Sequence, residues 1–404
     1  MPVELYHGDC LAALATMADN SVDSCVCDPP YGLSDHKPQD VIECLSAWIR
    51  GEEYRPQKTG FMGRSWDAWV PGPEVWREVL RVLKPGGHLL AFAGTRSMDL
   101  MSMAIRLAGF ELRDSIGYCH DGGTAPLMAW VSSSGMPKSK NVALMIDKSL
   151  GHGNRGRAVP TASKHLPSGT YAEEKLTSNI VGAYEARTPE GKPYEGFGTG
   201  LKPCWEPILI ARKPMIGTIA QNVLAYGTGA YNIDACRVPI DAAEEAEEGG
   251  LGRWPANVIR DDSEAVEAAF AAFGEKASGK PGTRRRAHQT HSMEGRLNML
   301  GRPEIGYADK GSASRFFYCS KASKEDRAGS KHPTVKPLSL MRYLCRLVTP
   351  PGGTVLDIFG GSGTTGQAAV EEGLNAILCE REDEYVADIC HRLALYMEHE
   401  PKKV

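Results

Sequence analysis

Thr354-Val-Leu-Asp-Ile-Phe-Gly-Gly-Ser-Gly-Thr-Thr-Gly366 is an apolar run that breaks into a glycine-rich turn. Residues 354–359 predict a short buried strand, and a helix is expected from Ser362 to Glu372. Glycine accepts sharp turns and lets backbone approach a ligand closely. About twenty residues beyond the first glycine, the apolar run Asn375-Ala-Ile-Leu-Cys379 ends in Glu380, placed to hydrogen-bond a ribose. Gly361, Gly363 and Gly366 satisfy the G-x-G-x-x-G pattern of nicotinamide dinucleotide sites. Only 38 residues follow Gly366, too few for a dinucleotide sheet built downstream in the usual order. The same turn and acidic contact suit S-adenosylmethionine, whose sulfonium carries a transferable methyl.

A second stretch near the start of the chain answers this one. The apolar run Val22-Asp-Ser-Cys-Val-Cys27 leads into Asp28-Pro-Pro-Tyr31. Taken alone, this reads equally as a strand ending in a Pro-Pro turn with a surface Asp and Tyr. It also has what methylation of an exocyclic base amine requires. Such an amine is planar, with its lone pair delocalised into the ring. The Asp28 carboxylate and the Pro29 carbonyl, stiffened by Pro29 and Pro30, can accept both amine hydrogens and favour a pyramidal nitrogen. The Tyr31 ring can stack on the base. One segment calls for a methyl donor and the other supplies its pocket.

The intervening chain alternates strand and helix. Strands are expected at Val3 to Tyr6, Val22 to Cys27, His88 to Ala93, Glu111 to Ile116 and Cys204 to Arg212, with helices at Cys10 to Ala18, Pro73 to Leu83 and Ser97 to Leu107. Lys84-Pro-Gly-Gly87 reads as a helix stop. The C-terminal part continues with helix Leu338 to Val348, strand Thr354 to Phe359, strand Asn375 to Cys379 and helix Asp383 to Tyr396. The middle predicts helices at Thr218 to Tyr226 and Ser263 to Phe273, with strand-like pieces at Val258-Ile259 and Arg315 to Cys319. This alternation predicts an α/β fold with a doubly wound, mostly parallel sheet shared by both ends of the chain.

Four blocks, His7-Gly-Asp-Cys10, Asp28-Pro-Pro-Tyr31, Lys331-His-Pro-Thr-Val-Lys-Pro337 and Asp357-Ile-Phe-Gly-Gly-Ser-Gly-Thr-Thr365, occur in that order. Their succession, with the cofactor loop last, resembles the beta class of amino-methylating DNA methyltransferases, over about residues 1–33, 61–148, 201–214 and 314–397. The resemblance implies a circularly permuted, Rossmann-like methyltransferase fold with an inserted target-recognition region. It divides the chain into a catalytic half at 1–214 with a DNA-facing insertion at about 132–200, target recognition at 215–313, and a cofactor-binding half at 314–404.

The resemblance also implies roles. Asp28, Pro29, Pro30 and Tyr31 form the pocket of a flipped-out base. Asp9 and Cys10 lie at the adenine of S-adenosylmethionine, and Glu380 at its ribose. Phe359, Gly361 and Gly363, within the block that also holds Asp357 and Thr364, shape the methionine pocket, over which the block of Thr334 and Lys336 closes. Trp130 is the candidate for stacking on the second base face, with Tyr118 its rival. Asp at the first motif position points to adenine N6; cytosine N4 stays open as the alternative. Two departures stand out: Ile358 replaces the family's usual proline, and residues 34–60 have no counterpart in shorter members.

Composition bounds these expectations. The chain has 404 residues, 42% hydrophobic and 24% charged, with net charge −4, as in ordinary globular proteins. Global charge therefore gives no sign of a polyanionic partner. Locally, residues 276–302 carry seven Lys or Arg against the single acid Glu294, including Arg284, Arg285 and Arg286. That cluster reads as a phosphate footprint on double-stranded DNA or as a solvated basic loop. Eleven cysteines include no C-x-x-C pair, so no metal site is expected. Free cysteines and the lack of a signal peptide or long apolar span point to the cytoplasm, and in a prokaryote to the nucleoid. A homodimer or a cognate restriction endonuclease would be compatible but leaves no signature. Two other classes stay open: a protein-glutamine methyltransferase, which uses a similar Pro-Pro-Tyr turn, and a non-catalytic DNA-binding module.

Overall fold

The computed structural model describes residues 2–56, 58, 60, 65–113, 127–131, 140–152, 184–200, 205–239, 252–261, 263–272, 274–277, 310–320, 324–330, 332, 334–397 and 399–404. By internal contacts the chain forms two compact units, Met1–Ser132 with Glu206–Val404, and Ser133–Trp205.

The chain opens with β1 (Val3–His7), α1 (Cys10–Ala15), β2 (Val22–Cys27), α2 (Pro38–Ile49), α3 (Pro73–Val82), β3 (Leu83–Phe92), α4 (Met98–Leu107) and β4 (Glu111–Leu112). The middle holds β5 (Leu127–Val131), α5 (Val142–Ser149), β6 (Trp205–Arg212), α6 (Ile219–Tyr226), β7 (Val258–Asp261), α7 (Glu264–Ala271), β8 (Glu275–Ala277), β9 (Lys310–Ser312) and β10 (Tyr318–Ser320). It closes with α8 (Leu338–Val348), β11 (Thr354–Asp357), α9 (Thr364–Glu371), β12 (Asn375–Glu380), α10 (Asp383–Leu393) and β13 (Lys402–Lys403).

The main sheet runs β10-β7-β5-β6-β3-β2-β11-β12-β1-β13, with β4 on β6. The pairings of β1, β2, β3, β11 and β12 with one another are parallel, while β6 runs antiparallel to β3. Doubly wound, mostly parallel α/β architecture is therefore present. The two C-terminal strands β11 and β12 sit between β2 and β1, so neither end of the chain completes the sheet alone. β7, from the stretch between 215 and 313, joins the same sheet beside β5.

Strand periodicity of two sorts the core into two layers. Cys25 and Cys27 of β2, Leu89 and Ala91 of β3, and Leu209 and Ala211 of β6 face a cluster that includes Leu14 of α1, Trp76 and Val79 of α3, and Met101 and Ile105 of α4. Their alternates Val26, Leu90, Phe92, Ile208 and Ile210 face Leu340, Leu344 and Val348 of α8, Ala368 of α9 and Ile389 of α10. α3 follows from its sequence: Pro73 occupies the first turn, and Val75, Trp76, Val79 and Val82 fall on one buried face.

Several boundaries differ from the sequence reading. β3 begins at Leu83, before the Pro-Gly-Gly segment. Val22 pairs Leu83 and Ser24 pairs His88, so residues 84–87 bulge from the ladder. Gly86 takes φ +79° there, and Asn222 Nδ2 donates to the Pro85 carbonyl at 2.9 Å. β11 stops at Asp357 and α9 starts at Thr364, because Gly361 and Gly363 adopt positive φ, +51° and +78°. α1 and α10 are shorter than expected, ending at Ala15 and Leu393. Residues 313–316 form a 3-10 turn rather than strand. α2 is an addition: within residues 34–60, Val41, Cys44, Leu45 and Trp48 pack on the first core layer. Its start is marked by Pro38 and by Asp40, which accepts from the Lys37 N–H at 2.8 Å.

Candidate active site

β2 and β11 are adjacent and parallel, with Ser24 opposite Val355 and Cys25 opposite Leu356. The two loops leaving their carboxyl ends, Asp28 to Tyr31 and Ile358 to Gly363, therefore emerge side by side, where doubly wound sheets place ligands. Both open onto one cavity of about 820 Å³, whose wall includes Asp9, Asp28, Tyr31, Phe359, Gly361 and Glu380.

The glycine side of the cavity is held from beneath. Asp357 is buried, accepting from the Thr365 hydroxyl at 2.6 Å and the Phe359 N–H at 3.0 Å. Burial pushes its pKa up to about 7, against those two hydrogen bonds. Glu380, at the end of β12, ties three backbone amides together: Gly361 at 2.8 Å, Arg381 at 2.8 Å and Glu382 at 2.9 Å. A carboxylate offers about four acceptor positions, so one remains for a hydroxyl in the cavity. Burial raises the Glu380 pKa and the three amides oppose it. A Cβ on Gly361 would lie 3.4 Å from the His332 ring, an ordinary contact, so it is the positive φ rather than crowding that favours glycine there. Gly363 is not on the cavity wall; its left-handed backbone shapes the turn, and a Cβ added there would lie only 3.2 Å from Ile389 Cγ1. Thr364 and Thr334 line the wall. Asp9 caps α1, accepting the Leu11 N–H at 2.9 Å, and Cys10 follows with its thiol pushed up to about 12 by burial. Both border the same cavity.

The other side is an ordered polar corner. Tyr31 donates its hydroxyl to Asp28 Oδ1 at 2.8 Å and accepts from Lys336 Nζ at 2.9 Å. Lys336 Nζ also lies 3.2 Å from Asp28 Oδ2. Burial raises the Asp28 pKa, with the Lys336 ammonium opposing it. Asp67 fixes the backbone, taking the N–H groups of Tyr31 at 2.9 Å and Gly32 at 3.0 Å, while Ser97 donates to the Tyr31 carbonyl.

The structure thus brings Asp9, Cys10, Asp28, Pro29, Pro30, Tyr31, Thr334, Lys336, Asp357, Phe359, Gly361, Thr364 and Glu380 to one cavity. Lys336 reaches toward Asp28, whereas the resemblance assigned its block to the methionine group. Trp130 sits on β5 opposite Ile259 and its side chain lies outside the described residues. Tyr118, Arg284, Arg285 and Arg286 lie outside them as well. Sequence reading missed Asp67, Ser97, Glu206 and His332; for Glu206 the available signal was a lone acid opening the apolar run Pro207 to Ala211.

The donor set fits S-adenosylmethionine. An acceptor at the end of β12 suits a ribose diol, the Gly360-Gly361 turn admits close backbone approach, and the cavity extends without a break to the Asp28 corner. Among the described residues no group of side chains could hold a metal ion, and no helix is long and apolar enough to cross a membrane.

The type II methyltransferase M.HindIII of Haemophilus influenzae is 21% identical over 395 residues, covering 91% of this chain and 87% of that protein. The type II methyltransferase M.BglI of Bacillus subtilis is 35% identical over 96 residues, 22% of this chain and 28% of that protein. Among solved structures, the M1.HpyAVI–SAM complex aligns over 97% of this chain and 98% of its own, at 14% identity and a TM-score of 0.39. Residues 22–391 match the DNA methylase model of N6 and N4 amino-methyltransferases, and the chain belongs to that S-adenosylmethionine-dependent family.

Proposed function

We propose that this DNA methylase acts on the exocyclic N6 amine of adenine, in a nucleotide rotated out of double-stranded DNA. The observation that carries the reading is the shared cavity: Asp28 and the Phe359-Gly361 turn open onto it from adjacent parallel strands. S-adenosylmethionine supplies an electrophilic methyl there, and its departing thioether is a neutral leaving group. The chain's residues do the rest. Glu380 and the glycine turn hold the donor, and Tyr31 presents a ring for stacking. Asp28 and the Pro29 carbonyl accept the two amine hydrogens, so that the nitrogen lone pair points at the donor. Asp28 already receives Tyr31 and Lys336, one on each oxygen, and each oxygen keeps a second lone pair for the amine.

Reaching the amine requires extrusion of the base, with unstacking offset by contacts in the pocket. Asp rather than Ser or Thr at the first motif position supports adenine over cytosine. Trp130 and the run Arg284 to Arg286 are proposed as the second stacking ring and the phosphate contacts. The test is chemical: DNA treated with the protein and S-adenosylmethionine is digested to nucleosides. N6-methyl-2′-deoxyadenosine is the expected product; N4-methyl-2′-deoxycytidine would overturn the adenine assignment, and transfer of the methyl group to protein instead of DNA would overturn the DNA reading.

A further inference from the structure

Lys336 is 7% exposed, and its three ammonium donors meet three partners: Tyr31 Oη at 2.9 Å, Glu206 Oε2 at 2.9 Å and Asp28 Oδ2 at 3.2 Å. The ammonium also lies 4.7 Å from the centroid of the Phe92 ring. Glu206 arrives by sheet register. β6 runs antiparallel to β3 with Ile208 opposite Phe92, and the Ala93 N–H donates to the Pro207 carbonyl at 2.9 Å. That pairing sets Glu206 just beyond the end of β3, beside the lysine.

The charges of this cluster matter for the reaction. Asp28 with Lys336 alone would be a neutral pair. Methyl transfer gathers positive charge on the attacking nitrogen: the nitrogen–carbon bond forms, the carbon–sulfur bond breaks with its electron pair left on sulfur, and the surplus proton leaves to water. A neutral pair stabilises that charge poorly. With Glu206 present, the cluster carries one net negative charge, and its Asp28 member lies on the cavity wall.

We propose that Glu206 is a positioning residue for methyl transfer: it takes up the charge of Lys336 and so leaves the charge of Asp28 for the reacting amine. The inference rests on Asp28 being the amine acceptor. The groups that act on this cluster are Asp28 and Tyr31 from the β2 loop, Glu206 from β6 and Lys336 itself. Asp357 acts on Asp28 and Asp67 on Tyr31 from farther off, and His332 feels Lys336. Burial is the main force raising the Asp28 pKa; Lys336 opposes it, and Glu206 adds to it.

The experiment is single-turnover methyl transfer to DNA across pH, with donor affinity measured by calorimetry, for the wild type, Glu206→Gln, Lys336→Met, the double variant and Asp28→Ala. Glu206→Gln is expected to lower the plateau rate about 10- to 100-fold, with donor affinity within about twofold of wild type. Its acid limb moves to lower pH, because Asp28 loses a neighbouring negative charge. A lower rate without that shift would mark a purely structural loss and overturn the proposal. In the Lys336→Met background, Glu206→Gln causes no further loss. Wild-type rate and acid limb in Glu206→Gln, or an equal loss in the Lys336→Met background, would overturn the proposal while an inactive Asp28→Ala leaves the Asp28 reading standing. Near-normal turnover by Asp28→Ala would instead overturn the reading beneath it.

Discussion

Asp28 is held by two donors of its own chain before any substrate arrives, Tyr31 on one oxygen and Lys336 on the other. Fixed acceptors need no reorganisation at the moment of reaction, which is where such groups gain their effect. Asp28→Ala is therefore expected to abolish methyl transfer while calorimetry still shows S-adenosylmethionine binding, since the groups proposed to hold the donor lie on β11, β12 and their loops. In the proposed role Asp28 acts as the ionised carboxylate, and burial raises its pKa. kcat/KM should consequently fall on the acid side at a pH above the ordinary aspartate value of about 3.9. Asp357 makes a second prediction, in stability. Its folded pKa of about 7 lies above its unfolded value, so the folded state binds the extra proton between the two. The contribution of Asp357 is present in full below about pH 4 and is lost as pH rises through about 7, falling by at most about 1.4 kcal/mol for each pH step of one. Asp357→Asn should flatten this fall: the stability of wild type relative to the variant, from urea melts between pH 5 and 8, declines as pH rises.

The elements that deliver these residues differ in how openly the sequence announces them. α3 carries its buried face in plain heptad-like spacing, and Trp76 at its centre is wholly buried. Trp76→Ala should cost about 3–5 kcal/mol in urea denaturation, the usual toll of deleting a large core aromatic. The glycine turn, Asp28-Pro-Pro-Tyr31 and the acid closing β12 were legible for the same reason: local backbone demands select those residue types. α2 was not read, although Val41, Cys44, Leu45 and Trp48 recur at helical spacing. Ile42 and Ile49, 58% and 76% exposed, blur the stripe that the helix would otherwise show. The roles of Asp67 and Glu206 were beyond reach for a different reason. Asp67 acts on Tyr31 and Gly32 across 35 or more residues, and Glu206 meets Lys336 across 130. Such pairs follow from sheet order, and no local pattern encodes which acid will meet which lysine. The bulge at residues 84–87 is of the same kind, arising where β3 must pair β2 while Asn222 of α6 holds the Pro85 carbonyl.

At the scale of the whole molecule, the last two core strands are inserted between the first two, so the proposed donor and amine pockets are built from opposite ends of the chain. Geometry within the cavity explains transfer but not attraction to DNA, because the molecule carries a net charge of −4. A polyanion is bound by such a protein only through a local concentration of positive charge. The sequence offers one in residues 276–302, with Arg284, Arg285 and Arg286 adjacent. Each phosphate contact contributes about 0.9 to the slope of log affinity against log salt on duplex DNA. If the three arginines each neutralise a phosphate, replacing all three with alanine should weaken DNA binding and flatten that slope by about 2.7. S-adenosylmethionine affinity should stay unchanged, since the groups proposed to hold the donor belong to β11, β12 and their loops. Titration of labelled duplex at several salt concentrations reads both quantities, and a slope equal to that of the wild type would show that the arginine run faces solvent while DNA is held elsewhere.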